Sequence, residues 1–275
     1  MIPNEVQAAL VALGYSVAVD GVLGLKSREA IKDFQGRHGL KIDGVAGPLT
    51  IAKLHEMLAR ETAQDRPGIL TPTIIKTVAP KARADIVEAL AGSVAPFASV
   101  GIVTKLRTAH FLAQIATETG GLTALEESLN YSIEGLLKTF SRKRIAKAQA
   151  EALGRKPGRA ADQEAIANVL YGGAWGEANL GNTKPDDGWR YRGGGLMQTT
   201  GRANYRRAGY EANPEALRTP RGGLAAALTF WSNNDLNRVA DRDDITALRK
   251  VVNGGTNGLP EAKAYLAKAK KALGI

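Results

Sequence analysis

Two copies of one short turn pattern, twenty-three positions apart, constrain the start of this chain more than any other feature. Asp20-Gly-Val-Leu-Gly24-Leu-Lys-Ser27 returns as Asp43-Gly-Val-Ala-Gly47-Pro-Leu-Thr50. In each copy an Asp-Gly pair favours a tight turn, a second glycine follows, and a hydroxyl residue stands where it could cap the next helix. After Ser27, the residues Ala30, Ile31 and Phe34 share one helical stripe. Before the first turn, Val6, Leu10 and Leu13 form another, which Gly14 ends. The pattern predicts a three-helix unit of about 60 residues, able to bury a core of its own. Asp20 and Asp43 are expected to stabilise turns, whatever the unit binds.

Residues 59–72 lose apolar periodicity and carry two prolines and a glycine, so a linker is expected there. From Thr73 onward helical periodicity returns and alternating strands are scarce. The remainder, 73–275, is therefore expected to be mainly α, with any sheet short. The absence of cysteine excludes disulfides and thiolate metal sites and fits a reducing compartment. His38, His55 and His110 are too scattered to suggest zinc, and no metal or cofactor is expected. The N-terminus lacks a basic stretch followed by an apolar run, and no apolar run reaches membrane-spanning length. Cytoplasmic synthesis without stable membrane insertion is expected, and a monomer.

The net charge of +10 is uneven: seven Lys/Arg stand against six Asp/Glu in residues 1–60, and thirty against twenty-one in the rest. Such a balance favours a polyanion or an anionic surface as partner. Arg142-Lys-Arg144, Lys147, Arg155, Lys156 and Arg159 supply much of it and are read as a solvated helix face. No base-reading motif accompanies the charge, so nucleic acid is not expected.

The central motif is His110-Phe-Leu-Ala-Gln-Ile-Ala-Thr-Glu118-Thr-Gly-Gly121, followed closely by Glu126-Glu127. Ile102, Val103, Leu106, Ala109, Ala113 and Ala116 predict one apolar stripe, with His110, Gln114 and Glu118 as a polar line at spacings of four. Pattern alone favours an exposed face for that line over a cleft wall. On one continuous helix Glu118 and Glu127 would point to opposite sides. Gly120-Gly121 breaks the helix and lets Glu127 fold back towards Glu118. Paired carboxylates across a cleft suit acid–base bond cleavage, and inverting glycosidases hold them about 6.5–9.5 Å apart.

Residues 6–54 resemble the peptidoglycan-binding domain of cell-wall hydrolases in Gln7, Leu10, Ala30-x-x-x-Phe34-Gln35 and both turns. The His110–Gly121 motif, Glu127-x-Leu-Asn-Tyr131 and Tyr191-Arg-Gly-Gly-Gly-Leu-Met-Gln198-Thr-Thr200-Gly-Arg-x-Asn204-Tyr205 resemble glycoside hydrolase family 19, which holds chitinases and phage endolysins. Phe230-Trp231, Leu236-Asn237-x-x-Ala-Asp241 and Val252-Asn253-Gly-Gly-Thr-Asn257 extend the likeness to about residues 75–270. The resemblance implies a lysozyme-like, mostly helical, two-lobed catalytic domain over 73–275, after a wall-binding domain over 1–58.

It further implies Glu118 as general acid, Glu127 as general base and Thr200 as the hydroxyl holding the water. Gln198, Tyr205 and Asn253 match positions lining a sugar groove, and Tyr131 is grouped with them as a substrate-binding residue. Glu126 is expected to be a solvated neighbour. Gly194 stands where the family usually has arginine. Gly193-Gly194-Gly195 lacks the Lys-Ser/Thr of a phosphate loop. His110 is expected to be packed and to orient Glu118 at most, while Trp189 and Trp231 are expected in the core rather than against sugar.

Chitin and peptidoglycan share a β-1,4-linked amino-sugar backbone, which these motifs do not distinguish. An attached wall-binding unit favours peptidoglycan, because tethering raises the local enzyme concentration there. The expectation is a modular phage endolysin, an inverting N-acetylmuramidase made in the host cytoplasm and reaching the wall after membrane permeabilisation. A chitinase and a non-catalytic wall-binding protein are the alternatives.

Overall fold

The computed structural model describes residues 1, 3–60 and 70–275. The chain forms two compact units, Met1–Thr117 with Trp231–Ile275, and Glu118–Phe230. Among the described residues the fold is helical, and pairing between extended segments is confined to isolated bridges.

The first unit begins with α1 (Pro3–Ala12), α2 (Leu25–Arg37) and α3 (Pro48–Arg60). Val6, Leu10, Ala30, Ile31, Phe34 and Leu54 bury one core between them. Each large apolar side chain buried in this way contributes roughly 1.5–3 kcal/mol. Gln7 and Gln35 organise the two repeats in the same way. Gln7 Nε2 donates to Asp20 Oδ1 (2.8 Å), the Val22 carbonyl (2.9 Å) and Ser27 Oγ (3.1 Å), and its Oε1 accepts from the Gly21 amide. Gln35 does the same with Asp43, the Val45 carbonyl, Thr50 and the amides of Asp43 and Gly44.

Asp20 and Asp43 accept from the Val22 and Val45 amides, as turn formers do. Hydrogen bonds hold both carboxyls below their usual range, from Gln7 first at Asp20 and from the Val45 amide first at Asp43. The hydroxyl residues differ from expectation. Ser27 and Thr50 lie inside the first turns of α2 and α3 and receive a glutamine N–H, while Gly24 occupies the N-cap of α2. A buried glutamine needs acceptors within the fold, and the hydroxyl supplies one.

Of the expected linker, residues 61–69 lie outside the described residues. Its ends are helical: α3 runs to Arg60, and the Thr71 hydroxyl caps α4 (Pro72–Val78) by accepting from the Ile74 amide at 3.1 Å. The first unit continues through α5 (Ala84–Ala91), α6 (Val94–Ser99) and all but the last residue of α7 (Lys105–Glu118). The second unit carries α8 (Ile133–Thr139), α9 (Lys147–Leu153), α10 (Gln163–Tyr171), α11 (Gly173–Leu180), α12 (Asp187–Arg190), α13 (Arg202–Arg207), α14 (Pro214–Leu217) and α15 (Pro220–Asn233) as far as Phe230. The chain then returns to the first unit as α16 (Leu236–Asp241), α17 (Ile245–Asn253) and α18 (Leu259–Leu273).

The α7 helix departs from its predicted single stripe. Every residue from Thr108 to Ala116 is buried, including the polar His110 and Gln114. Burial on all sides marks a central helix rather than a surface one. One side of its polar line is paired from inside: His110 Nε2 meets Asp243 Oδ1 at 2.8 Å, and Gln114 Oε1 accepts from Arg249 at 3.2 Å, while His110 Nδ1 and Gln114 Nε2 are buried without a hydrogen-bond partner.

The basic run is likewise not a helix face. Arg142 donates to the Leu137 carbonyl at 2.6 Å near the end of α8, and Arg159 donates to the Glu151 carbonyl at 2.6 Å near the end of α9. These arginines satisfy carbonyls that a helix end leaves unpaired.

Candidate active site

Glu118 is the last residue of α7 and is half-buried. Gly120 and Gly121 follow with φ of 57° and 86°, a conformation that costs little only without a Cβ. Leu122 shares it at φ 61°, with its side chain fully buried and its amide bound to the Thr119 hydroxyl at 2.9 Å. This left-handed run ends the helix and delivers residues 125–127 to Gly193–Gly195 as an extended segment.

The pairing is antiparallel. The Glu127 amide donates to the Gly193 carbonyl (2.9 Å), and the Gly195 amide donates to the Leu125 carbonyl (2.7 Å). Gly194 pairs in turn with Thr199 through both of its backbone groups. Along an extended chain successive side chains point to opposite faces, which separates Glu126 from Glu127.

Glu127 is held at both carboxylate oxygens. Oε2 accepts from the Tyr171 hydroxyl at 2.7 Å, and Oε1 accepts from the Gly193 amide. Burial and the Glu127 charge push the Tyr171 hydroxyl well above its ordinary value, so it remains a donor. A Cβ built on Gly193 would lie 3.2 Å from Glu127 Cδ and Oε1, and 3.2 Å from Gln198 Oε1. The missing side chain is what lets the carboxylate and the Gln198 amide approach the same backbone atom.

Gln198 itself sits at φ 47°, a conformation rare for a residue with a Cβ and concentrated at functional sites. Its Nε2 donates to the Gly195 carbonyl (3.2 Å), and the Thr200 hydroxyl donates to the Gln198 carbonyl (3.0 Å). Tyr131 is half-buried against Phe140, its hydroxyl held up by burial and by the Glu127 charge. Glu127, Gln198, Thr200 and Tyr131 thus gather in the second unit, with Tyr171 and Gly193 as their supports. Asn253 belongs to the first unit, where it ends α17 and is exposed.

Tyr205 differs from its expected place in a sugar groove. It is fully buried, donates its hydroxyl to the Arg192 carbonyl (2.8 Å) and accepts from Arg218 Nη1 (2.8 Å). Its ring packs on Tyr191. It therefore supports the Arg192–Gly195 segment from behind.

Glu126 also differs from a simply solvated neighbour. Arg192 donates to its Oε2 through Nε (3.1 Å) and Nη2, and Arg218 Nε lies 3.7 Å from the same oxygen. Both arginines are buried, which makes this pairing more than an exposed ion pair. The Arg218 stem fills the space beside Gly194: a Cβ there would stand 2.7 Å from Arg218 Cγ and from the Tyr205 hydroxyl. Gly194 is therefore compatible with the fold because another arginine occupies its flank.

Two structural expectations match. Trp231 is fully buried, its Nε1 donating to Asn237 at 2.8 Å, and Trp189 packs into the second unit's core with Arg192 over its ring. His110 is buried and bonded to Asp243. Its pKa is lowered chiefly by burial, although the Asp243 contact opposes this. Tyr171 and Arg218 carry no local motif, and sequence reading missed them; Arg192 lies within the Tyr191–Tyr205 motif but was given no role. Tyr171 lies forty-four positions from its carboxylate.

No group of three or more potential metal ligands occurs among the described residues. The site instead offers a fixed carboxylate, a permanent hydroxyl donor beside it, and an amide and a hydroxyl close by, a set suited to acid–base chemistry on water.

Comparison with known proteins gives the following. The family described as a putative peptidoglycan binding domain matches residues 4–54. A glycosyl hydrolase family 19 domain-containing protein of Haemophilus influenzae is 36% identical over 176 residues, covering 61% of this chain and 80% of that protein. The N-acetylmuramoyl-L-alanine amidase CwlM of Mycobacterium tuberculosis is 33% identical over 76 residues, covering 27% of this chain and 19% of that protein. Among solved structures, a Burkholderia AP3 phage endolysin is 20% identical with a TM-score of 0.29, over 99% of this chain and 94% of that one.

Proposed function

The chain belongs to the glycosyl hydrolase family 19 proteins, and from that premise we propose that it cleaves the β-1,4 glycosidic bonds of bacterial peptidoglycan as an endolysin. The observation that carries this reading is the two-point hold on Glu127 by Tyr171 and Gly193. A general base must present a lone pair in a fixed direction. Each carboxylate oxygen has a second acceptor site, so the two bonds orient Glu127 and leave room for a water.

In the proposed step Glu127 takes a proton from that water, which attacks the anomeric carbon. Glu118 protonates the departing glycosidic oxygen, so one bond forms as the other breaks and the configuration inverts. The Thr200 hydroxyl donates to the Gln198 carbonyl and keeps its own lone pairs for the water, while the Gln198 amide faces the sugar. Tyr131 completes the proposed substrate contacts of this unit. The preference for peptidoglycan over chitin is supported by the residue 4–54 match and the net charge of +10.

The test is digestion of purified peptidoglycan by the wild type and by Glu118→Gln, with the new ends identified by mass spectrometry. Reducing N-acetylmuramic acid ends are expected, together with a rate loss of roughly 10²–10⁴-fold in the variant. Free peptides, or an undiminished rate in the variant, would refute the proposal. Reducing N-acetylglucosamine ends would refute muramidase specificity, and chitin cleavage at a comparable rate would favour a chitinase.

A further inference from the structure

Of the three tryptophans, two are accounted for by packing and the third is not. Trp175, on α11, is 41% exposed. An indole is costly to leave in water, and isolated apolar exposure alone would signify little. Here the ring is not isolated. The Arg144 guanidinium carbon stands over the ring, 3.2 Å from its centroid, while the side chain stays 41% exposed.

The pair is linked to the proposed general base by a short chain of contacts. Arg144 also donates to the Leu170 carbonyl, one residue before Tyr171, whose hydroxyl holds Glu127. Burial lowers the Arg144 pKa while Tyr171 raises it, which agrees with their proximity. The link from Tyr171 to Trp175 is equally tight. A Cβ on Gly176 would lie 1.9 Å from the Tyr171 carbonyl oxygen, and Asn182 donates to that same oxygen at 2.9 Å. Gly172 and Gly173 make the turn between α10 and α11, Gly173 at φ 61°. Trp175 is thus fixed relative to Glu127 through two short routes, one through the backbone and one through Arg144.

We propose that Trp175, backed by Arg144, is a glycan subsite whose exposed indole stacks on an amino-sugar ring of the strand being cut. The occupant follows from the chemistry. A pyranose ring presents an apolar C–H face that matches an indole, and its polar edge stays in water, as a half-exposed platform requires. Arg144 holds the indole in one orientation, so little freedom is lost on binding. This inference rests on the glycosidase reading above.

The test uses the full chain and N-acetylglucosamine tetramer as the probe. Titration should quench tryptophan emission in the wild type. Trp175→Ala should weaken binding about tenfold, and Trp175→Phe should recover most of it. On peptidoglycan, the alanine variant should raise KM by a similar factor with a much smaller change in kcat, the mark of a lost binding contact. Absence of probe binding to the wild type, or unchanged probe affinity in Trp175→Ala, would overturn the subsite. Failure of the glycosidase reading is distinguishable: it appears as peptide products from the wild type, whatever the titration gives.

Discussion

At the scale of single residues, a missing side chain shapes the proposed site. Gly193 donates its amide to Glu127 and leaves open the space that a Cβ would take from both Glu127 and Gln198. Gly193→Ala is therefore expected to displace the carboxylate while leaving the fold intact. Lysis should fall by about 10–100-fold, since sub-ångström misplacement of a catalytic group is enough for losses of that order. A melting temperature within a few degrees of wild type would show that the loss is local. Gly194→Ala is expected to act differently, because its Cβ would meet Arg218 and Tyr205 in a buried cluster. Overpacking there should cost about 1–3 kcal/mol of stability, read by denaturant unfolding.

The glycine break after Glu118 was legible at this scale because it belongs to a compact motif. The roles of Tyr171, Arg192 and Arg218 were not, because the carboxylates they pair with lie far along the chain. Tyr205 lay within a recognisable motif, but a motif does not reveal which way a ring points, and this one points inward.

At the scale of elements, the N-terminal repeat was read correctly as three helices, whereas α7 was read as a surface helix. The difference is physical. In the repeat, turn chemistry and apolar spacing recur and reinforce each other. In α7, burial of His110 and Gln114 depends on Asp243 and Arg249, 133 and 135 residues away.

The buried histidine has a consequence for stability. Its pKa in the fold lies below the ordinary value of 6.5, chiefly through burial. Below 6.5 the unfolded chain therefore binds more protons at this residue than the native one does. Its stabilising contribution is complete above that pH and is lost as pH falls through the folded value. Denaturation midpoints between pH 8 and 5 should decline, and His110→Asn should flatten the decline. Parallel curves would contradict this assignment.

Gln35 gives a second element-scale prediction. Gln35→Ala would strand the amides of Asp43 and Gly44 together with the contacts to Asp43, Val45 and Thr50. A loss of about 1–3 kcal/mol is expected in the module. Binding to insoluble wall should weaken, with soluble glycan cleavage unchanged.

At the scale of the whole molecule, a putative peptidoglycan-binding domain stands in one chain with a family 19 hydrolase domain. A tether acts through effective concentration and makes no change in chemistry. The proposed function therefore predicts that removing residues 1–60 slows lysis of intact wall far more than cleavage of soluble glycan fragments. Equal losses on both substrates would argue against a tethering role. The central claim is that a Glu127 held by Tyr171 and Gly193 directs water onto the anomeric carbon while Glu118 protonates the leaving oxygen. Proton NMR of the first product formed from a soluble peptidoglycan glycan tests it most directly. Inversion at a β-1,4 bond predicts the α-anomer before mutarotation; initial release of the β-anomer would contradict the account.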